Sequence, residues 1–477
     1  MDIKHITGHY DLNTGLYHSM SLPDLAYTDQ NGNVVEVAGE AFGPIETDLS
    51  LYAEALSSVS TVLFFDRAER TLTISQDIMG GDRHVYYAEH NDKVYISTSL
   101  RKLLDISGLE AHLDIDEARV FMHHGFCPDS NTLISGIKKV RPHTRLKITT
   151  SGIEEDRMQR STDFVQTVDS EELFYSTELK VIDEYVGRWH SRRVPVMALS
   201  AGFDSNLILD RALRRGFSPH IITIGDKTAR SEHNAVEQIC SIKGIKNKNF
   251  ATVSHYTFDN YCDIVNRLEG SVFEPGIFLQ YELAREAQKC RATDMICGEC
   301  ADQVFNENFC KGNFNSGGCS RNKELSKEDL CKIDFKFGSS PYELAEGIII
   351  KKSGIMLASF GIRGIYPYCD HEMISAADRV AVLNGKNKTL HVNNCRKSMA
   401  VNHFGMLNKV GGSTSLTALF RSADEEKEFK KQVRRRRLIN ELGAQYTRRY
   451  GPEYDYDLID CLCAYYIELF RHLFCIC

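Results

Sequence analysis

The sequence predicts an α/β fold centred on a parallel sheet, and three stretches carry that expectation. Val194-Pro195-Val196-Met197-Ala198-Leu199 leads through the small-residue turn Ser200-Ala201-Gly202-Phe203-Asp204-Ser205 into Asn206-Leu207-Ile208-Leu209-Asp210, the order of a buried strand, a tight turn and a helix start. Asp294-Met295-Ile296-Cys297 ends a second apolar strand and runs into Gly298-Glu299-Cys300-Ala301-Asp302-Gln303-Val304-Phe305. Between them, His220-Ile221-Ile222-Thr223-Ile224-Gly225 is a short strand ending in glycine, and Ser231-Glu232 opens a helix with Ala235, Val236, Ile239 and Ile242 on one side. Strands and helices alternating at this length form a parallel sheet covered on both faces, with ligands at the strand C-terminal ends.

The first turn reads as an anion site, because small residues let the backbone close on a phosphate and the helix start offers unpaired N–H groups and a positive dipole end. A Walker loop would end in Gly-Lys-Ser/Thr, whereas here Asp204 precedes Ser205. A carboxylate beside phosphate needs an intervening cation, so Asp204 is expected to be a Mg²⁺ ligand.

The stretch resembles the S-G-G-x-D-S signature of pyrophosphate-loop ATPases, with Ala201 in place of a small residue that is usually glycine. Gly298 to Phe305 is similar to the S-G-E-G-A-D-E-L-F segment of asparagine synthetases, with Cys297 and Cys300 in place of serine and glycine. His220 to Gly225 resembles that family's T-x-S-I-G segment, which meets adenine. Upstream, Asp77-Ile78-Met79-Gly80 with Tyr86-Tyr87, Ser99 to Leu104, Gly125-Phe126-Cys127-Pro128, Thr132-Leu133 and Gly136 to Pro142 resemble D-x-x-G-x-x-P-L-Y-Y, S-E-x-K-A-L-L, G-Y-V-P, T-L-F and G-I-K-K-L-P-P. Together these motifs, from about residue 59 to about residue 415, resemble the asparagine synthetase superfamily, which includes β-lactam synthetases and lasso-peptide cyclases.

The resemblance implies an N-terminal-nucleophile type, β-rich sandwich domain in truncated form over residues 1–165. It implies a parallel-sheet α/β ATP-pyrophosphatase domain with a helical C-terminal extension over 166–477. A chain of 477 residues exceeds what one core usually serves, and Ser151 to Asp156 with Arg160 to Asp163 form a polar link near the division. A helix then starts at the Asp169-x-x-Glu172 capping box and carries Tyr175, Leu179, Ile182, Val186 and Trp189 as a core stripe. Glutamine-hydrolysing relatives carry a cysteine after the initiator methionine. Here the second residue is Asp2 and no cysteine occurs before Cys127, so no glutaminase activity is expected. Only Val37 to Phe42 faintly resembles the family's N-G-E-I-Y.

Downstream, Ile362 to Asp370 resembles L-E-V-R-V-P-F-L-D, with Arg363 at the glutamate that helps the amine or substrate in some relatives. In β-lactam synthetases a tyrosine at the position of Glu299 pairs with that glutamate; this chain has neither partner and keeps the asparagine-synthetase-type Glu299. Asn408-Lys409-Val410-Gly411-Gly412 resembles R-x-K-x-G-F. A lone lysine beside glycines is ordinarily a solvated loop residue, but its order after the other motifs favours a catalytic ammonium that steadies negative charge on oxygen.

A net charge of −8 argues against a nucleic-acid surface over the whole molecule. Lys430-Lys431-Gln432-Val433-Arg434-Arg435-Arg436-Arg437 is the local exception. It is read first as a solvated helix face balanced by Asp424, Glu425, Glu426 and Glu428, with a leader peptide, RNA or membrane surface as the alternatives. No apolar run reaches spanning length, so a cytoplasmic protein with no membrane partner is expected. Fifteen cysteines without a secretory signal are read as reduced thiols. Cys461/Cys463 and Cys475/Cys477 flank a terminal helix at a separation of roughly 18 Å, too far for one tetrahedral ion, and serve packing or oligomer contact. Cys310, Cys319 and Cys331 lie in a polar stretch, 306–340, expected to be a loop over the substrate site.

The resemblance thus implies ATP against Leu199, Ile224 and Gly225, with pyrophosphate in the loop of Ser200, Ala201, Gly202, Asp204 and Ser205. Cys297 and Gly298 line the second strand end, and Mg²⁺ lies between Asp204 and Asp302. A substrate carboxylate attacks the α-phosphate to give an acyl-adenylate; an amine or ammonia follows, with Glu299 accepting its proton and Lys409 steadying the oxyanion. Partners would be a small-molecule or peptide carboxylate with an amine or ammonia, a precursor peptide or leader-binding protein, and a second copy of the chain. Nucleic acid is not expected. Two other readings stay open: a pyrophosphate-loop RNA-modifying enzyme, and a noncatalytic degenerate homologue suggested by Ala201, Asp2 and Arg363.

Overall fold

The computed structural model describes residues 5–21, 26–39, 60–77, 79–157, 170–192, 194–225, 232–253, 255, 258–305, 345–384, 387–399, 416–436, 438, 442 and 456–476. Lys409, the 306–340 stretch, Asp2 and the fourth of the terminal cysteines, Cys477, lie outside them.

The first half is antiparallel. Its strands are β1 (Thr7–Asp11), β2 (Leu16–Ser19), β3 (Ala26–Thr28), β4 (Val34–Gly39), β5 (Ser60–Asp66), β6 (Thr71–Gln76), β7 (Tyr86–His90), β8 (Lys93–Ser97), β9 (Lys138–Lys139), β10 (Thr144–Thr149) and β11 (Gly152–Arg157). They make two sheets, ordered β2-β1-β8-β7-β9 and β11-β10-β6-β5-β4-β3. Alternation sets the register. Leu63 pairs with Ile74 and Ile74 with Leu146; Phe65 pairs with Leu72 and Leu72 with Ile148. These rows pack in one core with Tyr10, Tyr87, Val94 and Ile96 of the other sheet. The opposite side chains of β7, Tyr86 and Ala88, instead join the core beneath α1 (Leu100–Ser107) and α2 (Ile115–His124), which is continuous with the rest of the molecule.

The second half holds a five-stranded parallel sheet. Its strands are β12 (Pro195–Ala198), β13 (His220–Gly225), β14 (Lys248–Thr252), β15 (Asp294–Ile296) and β16 (Arg363–Ile365), in the order β14-β13-β12-β15-β16. The chain runs outward from β12 to β14 and then returns to the other side of β12, so the loops after β12 and β15 border the point where strand order reverses. The helices before and between these strands are α3 (Glu171–His190), α4 (Phe203–Arg214), α5 (His233–Lys243), α6 (Phe258–Leu268), α7 (Ile277–Lys289), α8 (Ala301–Phe305) and α9 (Ile350–Ser359). Then come α10 (His371–Asn384), α11 (Asn387–Met399), α12 (Ala423–Arg434) and α13 (Tyr456–Leu473). Mixed α/β architecture with antiparallel sheets and one parallel sheet is therefore the observed class.

Local expectations are corrected in three places. The cap of α3 is Ser170, whose Oγ accepts from Leu173 N–H at 3.2 Å, one residue later than the expected box at Asp169. The buried face of α3 runs through Phe174, Glu178, Val181, Ile182, Tyr185, Val186 and Trp189, leaving Tyr175 and Leu179 at its edge. On α5, Val236, Ile239 and Cys240 are buried but Ile242 is 61% exposed, because it lies off the face that meets the sheet. The basic run is tied to neighbouring acids: Lys430 pairs with Glu426 at 2.8 Å, Arg434 with Asp457, and Arg436 with Glu468 at 2.5 Å. The first pair lies within α12, as the solvated-face reading expects, and the last two tie the run to α13. No described helix is long and apolar enough to cross a membrane.

Candidate functional site

The turn after β12 folds onto its own polar groups. Ser200 N–H donates to Ser205 Oγ at 3.1 Å and Gly202 N–H to Ser200 Oγ at 3.2 Å, while Asn206 Nδ2 reaches the carbonyls of Ser200 and Gly202 at 2.9 and 2.7 Å. Gly202 caps α4 in extended conformation and makes no side-chain cap bond to the first turn. That end offers backbone donors and dipole to an anion. Ala201 has no left-handed φ, so its methyl group meets none of the strain that such a conformation would impose. Its N–H donates to buried Glu232 Oε2 at 3.0 Å. Leu199 is buried and its carbonyl accepts from Thr223 Oγ1 at 2.9 Å; Ile224 is half-buried and Gly225 ends β13 beside it.

The second strand end presses against the first. A Cβ on Gly298 would stand 3.0 Å from Ser205 N and 3.3 Å from Asp204 C, so only glycine lets the backbones approach this closely. Cys297 N–H bonds Ile365 O at 2.9 Å, and burial pushes its thiol far above the ordinary range, making it a packing residue. Cys300, at the family's glycine position, adopts φ 69°, the left-handed region.

Asp204 and Asp302 converge on one cation. Lys388, at the start of α11, places Nζ 2.5 Å from Asp204 Oδ1 and 2.8 Å from Asp302 Oδ1. His391, one turn on, donates from Nε2 to the same Asp204 oxygen at 2.8 Å and from Nδ1 to Glu178 of α3. Both acceptors are carboxylates, so both ring nitrogens carry protons. Burial opposes that charge, but Glu178 and Asp204 outweigh it and hold the imidazole well above its usual range. Burial would likewise raise Asp204; His391 and Lys388 prevail and draw it below the carboxylate range. Asn394 Nδ2 donates to the other Glu178 oxygen at 2.5 Å, Phe305 stacks on His391 at 4.8 Å, and Tyr368 OH donates to Asp204 O at 2.9 Å.

Glu299 is half-buried near this network, accepts from Gln280 Nε2 at 2.7 Å, and is raised by desolvation against the pull of Lys352. Lys352 itself pairs with Glu274 at 2.7 Å. Arg363 lies at the opposite end of the sheet: its Nε donates to Asp294 Oδ1 at 2.8 Å, at the N-terminal ends of β15 and β16. It therefore stands away from the strand ends that carry Asp204 and Asp302.

Lys388, His391 and Glu178 were missed by motif reading. Their signal was present as spacing: Lys388, His391 and Cys395 share one helical face, and Glu178 interrupts the apolar stripe of α3. Two carboxylates reaching one point are a donor set that suits Mg²⁺ completed by phosphate oxygens and water, and Lys388 Nζ, which fills that point here, would have to move aside for the metal. Among the described residues no group of three or more His, Cys, Asp or Glu forms a metal cluster.

No family model matches the sequence. A solved glutamine phosphoribosylpyrophosphate amidotransferase from B. subtilis, complexed with ADP and GMP, covers 62% of this chain and 75% of its own at 10% identity. Its TM-score of 0.20 carries no argument about the fold. Over 257 residues, 53% of its length, the chain is 24% identical to asparagine synthetase [glutamine-hydrolyzing] 1 of Bacillus subtilis (strain 168). It spans 40% of that protein, and the relationship is a distant similarity to an asparagine synthetase.

Proposed function

We propose that this chain is an ATP-dependent carbon–nitrogen ligase of the AMP-forming kind, resembling asparagine synthetase. The observation that carries the reading is the convergence of Asp204 and Asp302 on one cation, beside an uncapped helix start at the strand-order switch. The similarity to asparagine synthetase supports it.

Asp204 and Asp302 would hold Mg²⁺, which supplies charge neutralisation on the nucleotide phosphates. Ser200, Ser205 and the first N–H groups of α4 would bind the pyrophosphate, with Leu199, Ile224 and Gly225 beside the base. Lys388 lies between the carboxylates here; displaced by the metal, its ammonium would turn to the phosphate oxygens of the same region. A substrate carboxylate oxygen bonds to the α-phosphorus as the bridge to the β-phosphate breaks, giving acyl-adenylate and pyrophosphate. The amine then displaces AMP. Glu299, made more basic by burial, takes the amine's proton, and Lys409 is assigned to the oxyanion.

The proposal extends to a degenerate N-terminal-nucleophile type sandwich over 1–165 and a synthetase domain over 166–477, without glutamine hydrolysis by this chain. The carboxylate belongs to a small molecule or a peptide, and macrolactam formation fits the same chemistry. The direct test labels the substrate carboxylate with ¹⁸O. One label in the AMP formed supports acyl-adenylation; unlabelled AMP, or ADP in its place, overturns it. Glutamate release from glutamine by purified protein overturns the glutaminase part.

A further inference from the structure

A cavity of about 540 Å³ opens at the seam between the antiparallel sheets and the second half, and it shares no lining residue with the strand-end loops. Four cationic side chains line it, Arg83, Arg101, Lys102 and Arg267, against the carboxyl groups of Asp263 and Glu269.

Both carboxyl groups are already satisfied. Asp263 accepts from Arg267 Nε and Tyr281 OH, each at 2.8 Å. Glu269 accepts from Ser99 Oγ at 2.8 Å and Leu100 N–H at 2.6 Å. The cations keep donors in reserve. Arg267 bonds Ser359 O through Nη1 at 2.8 Å and Asp263 through Nε, which leaves Nη2. Arg101 uses Nη2 on Asn266 at 2.6 Å and Nη1 on Leu473 O at 3.4 Å, which leaves Nε. Among the described residues Lys102 makes no ion pair.

Ring contacts fix the two guanidinium groups: Arg267 lies 3.7 Å over Phe360 and Arg101 4.2 Å over Phe474. His5 lines the same wall, where burial, then Arg83 and Lys102, push it down to about 3. His5 is therefore neutral and adds no charge of its own.

We propose that this cavity binds a small phosphate-bearing metabolite, as a second anion site separate from the nucleotide loop. Its volume suits a small organic molecule rather than a bare ion. Three free donors on three side chains match the several oxygens of a tetrahedral phosphate better than the two of a carboxylate. Residues from both halves form the walls, so occupancy stabilises the seam.

Isothermal titration of the full chain with glycerol 3-phosphate, without ATP or Mg²⁺, tests the assignment. Wild type and Ser205→Ala should bind at one saturable site with like affinity, Lys102→Glu should bind at least about tenfold more weakly, and succinate should bind more weakly than the phosphate. Lys102 is exposed and unpaired, so its replacement leaves the fold intact, which circular dichroism checks. No saturation by about 10 mM, equal affinity in Lys102→Glu, loss in Ser205→Ala alone, or tighter binding of succinate each overturns the proposal.

Discussion

At Gly298 an added Cβ meets the backbone of Ser205 at 3.0 Å, and neither chain can yield without displacing the start of α4. Gly298→Ala should cost about 1–3 kcal/mol in urea denaturation and weaken nucleotide binding together, as overpacking between fixed backbones does. An unchanged midpoint would show that the strand ends are not in contact. Two residues on, Cys300 tests the departure from the motif. Its φ of 69° strains any side chain, so Cys300→Gly should be more stable than Cys300→Ala by about 1 kcal/mol, and equality would show a relaxed backbone. The sequence comparison exposed the substitution at Cys300 but not its conformation, since a motif records residue types and not dihedral angles. Arg363 shows the converse: the motif marked it as the replacement of a glutamate, while strand direction puts it at the far end of the sheet with Asp294.

Among the elements, α3 and α11 are joined by the pair Glu178 and His391, both fully buried. Removing His391 leaves Glu178 charged with only Asn394 and no counter-charge, so His391→Leu should cost about 3–5 kcal/mol, and adding Glu178→Leu should recover much of it. Equal losses in the single and double variants would contradict a coupled pair. This pairing was hidden because an acid in an apolar stripe finds its partner only through tertiary contact, more than two hundred positions away.

The start of α1 offers a pH test. Burial first, against the bonds from Ser99 and Leu100, pushes Glu269 from 4.5 up to about 7. The folded chain then keeps a proton that the unfolded chain has lost, so this contribution is full below pH 4.5 and disappears as pH rises through 7. Glu269→Gln should flatten the decline in stability over that window by about 2–3 kcal/mol. An identical pH slope in the variant would remove Glu269 as its source.

For the whole molecule, one core runs from Met79 and Tyr86 through the parallel sheet to Phe470 and Ile476, and Tyr86 OH meets Ser271 Oγ at 2.7 Å across the seam. Lys351 likewise donates to Gly81 O at 2.6 Å. Calorimetry should give one unfolding transition for both halves; two resolved transitions would show that the seam is not cooperative. Three strands of the parallel sheet, β12, β13 and β15, were legible as apolar runs ended by small residues, as in Val196 to Leu199, whereas the short or polar β14 and β16 were not. Nor was the continuity of the cores, because Tyr86 and Tyr87 are equally aromatic neighbours yet face different layers. The most direct measurement is Mg²⁺-dependent ATP binding by titration calorimetry on wild type, Asp204→Asn, Asp302→Asn and the double variant. A shared cation site predicts that each single change loses at least about tenfold in affinity and that the double loses little more than the worse single. Metal-dependent binding that survives either change undiminished would contradict it.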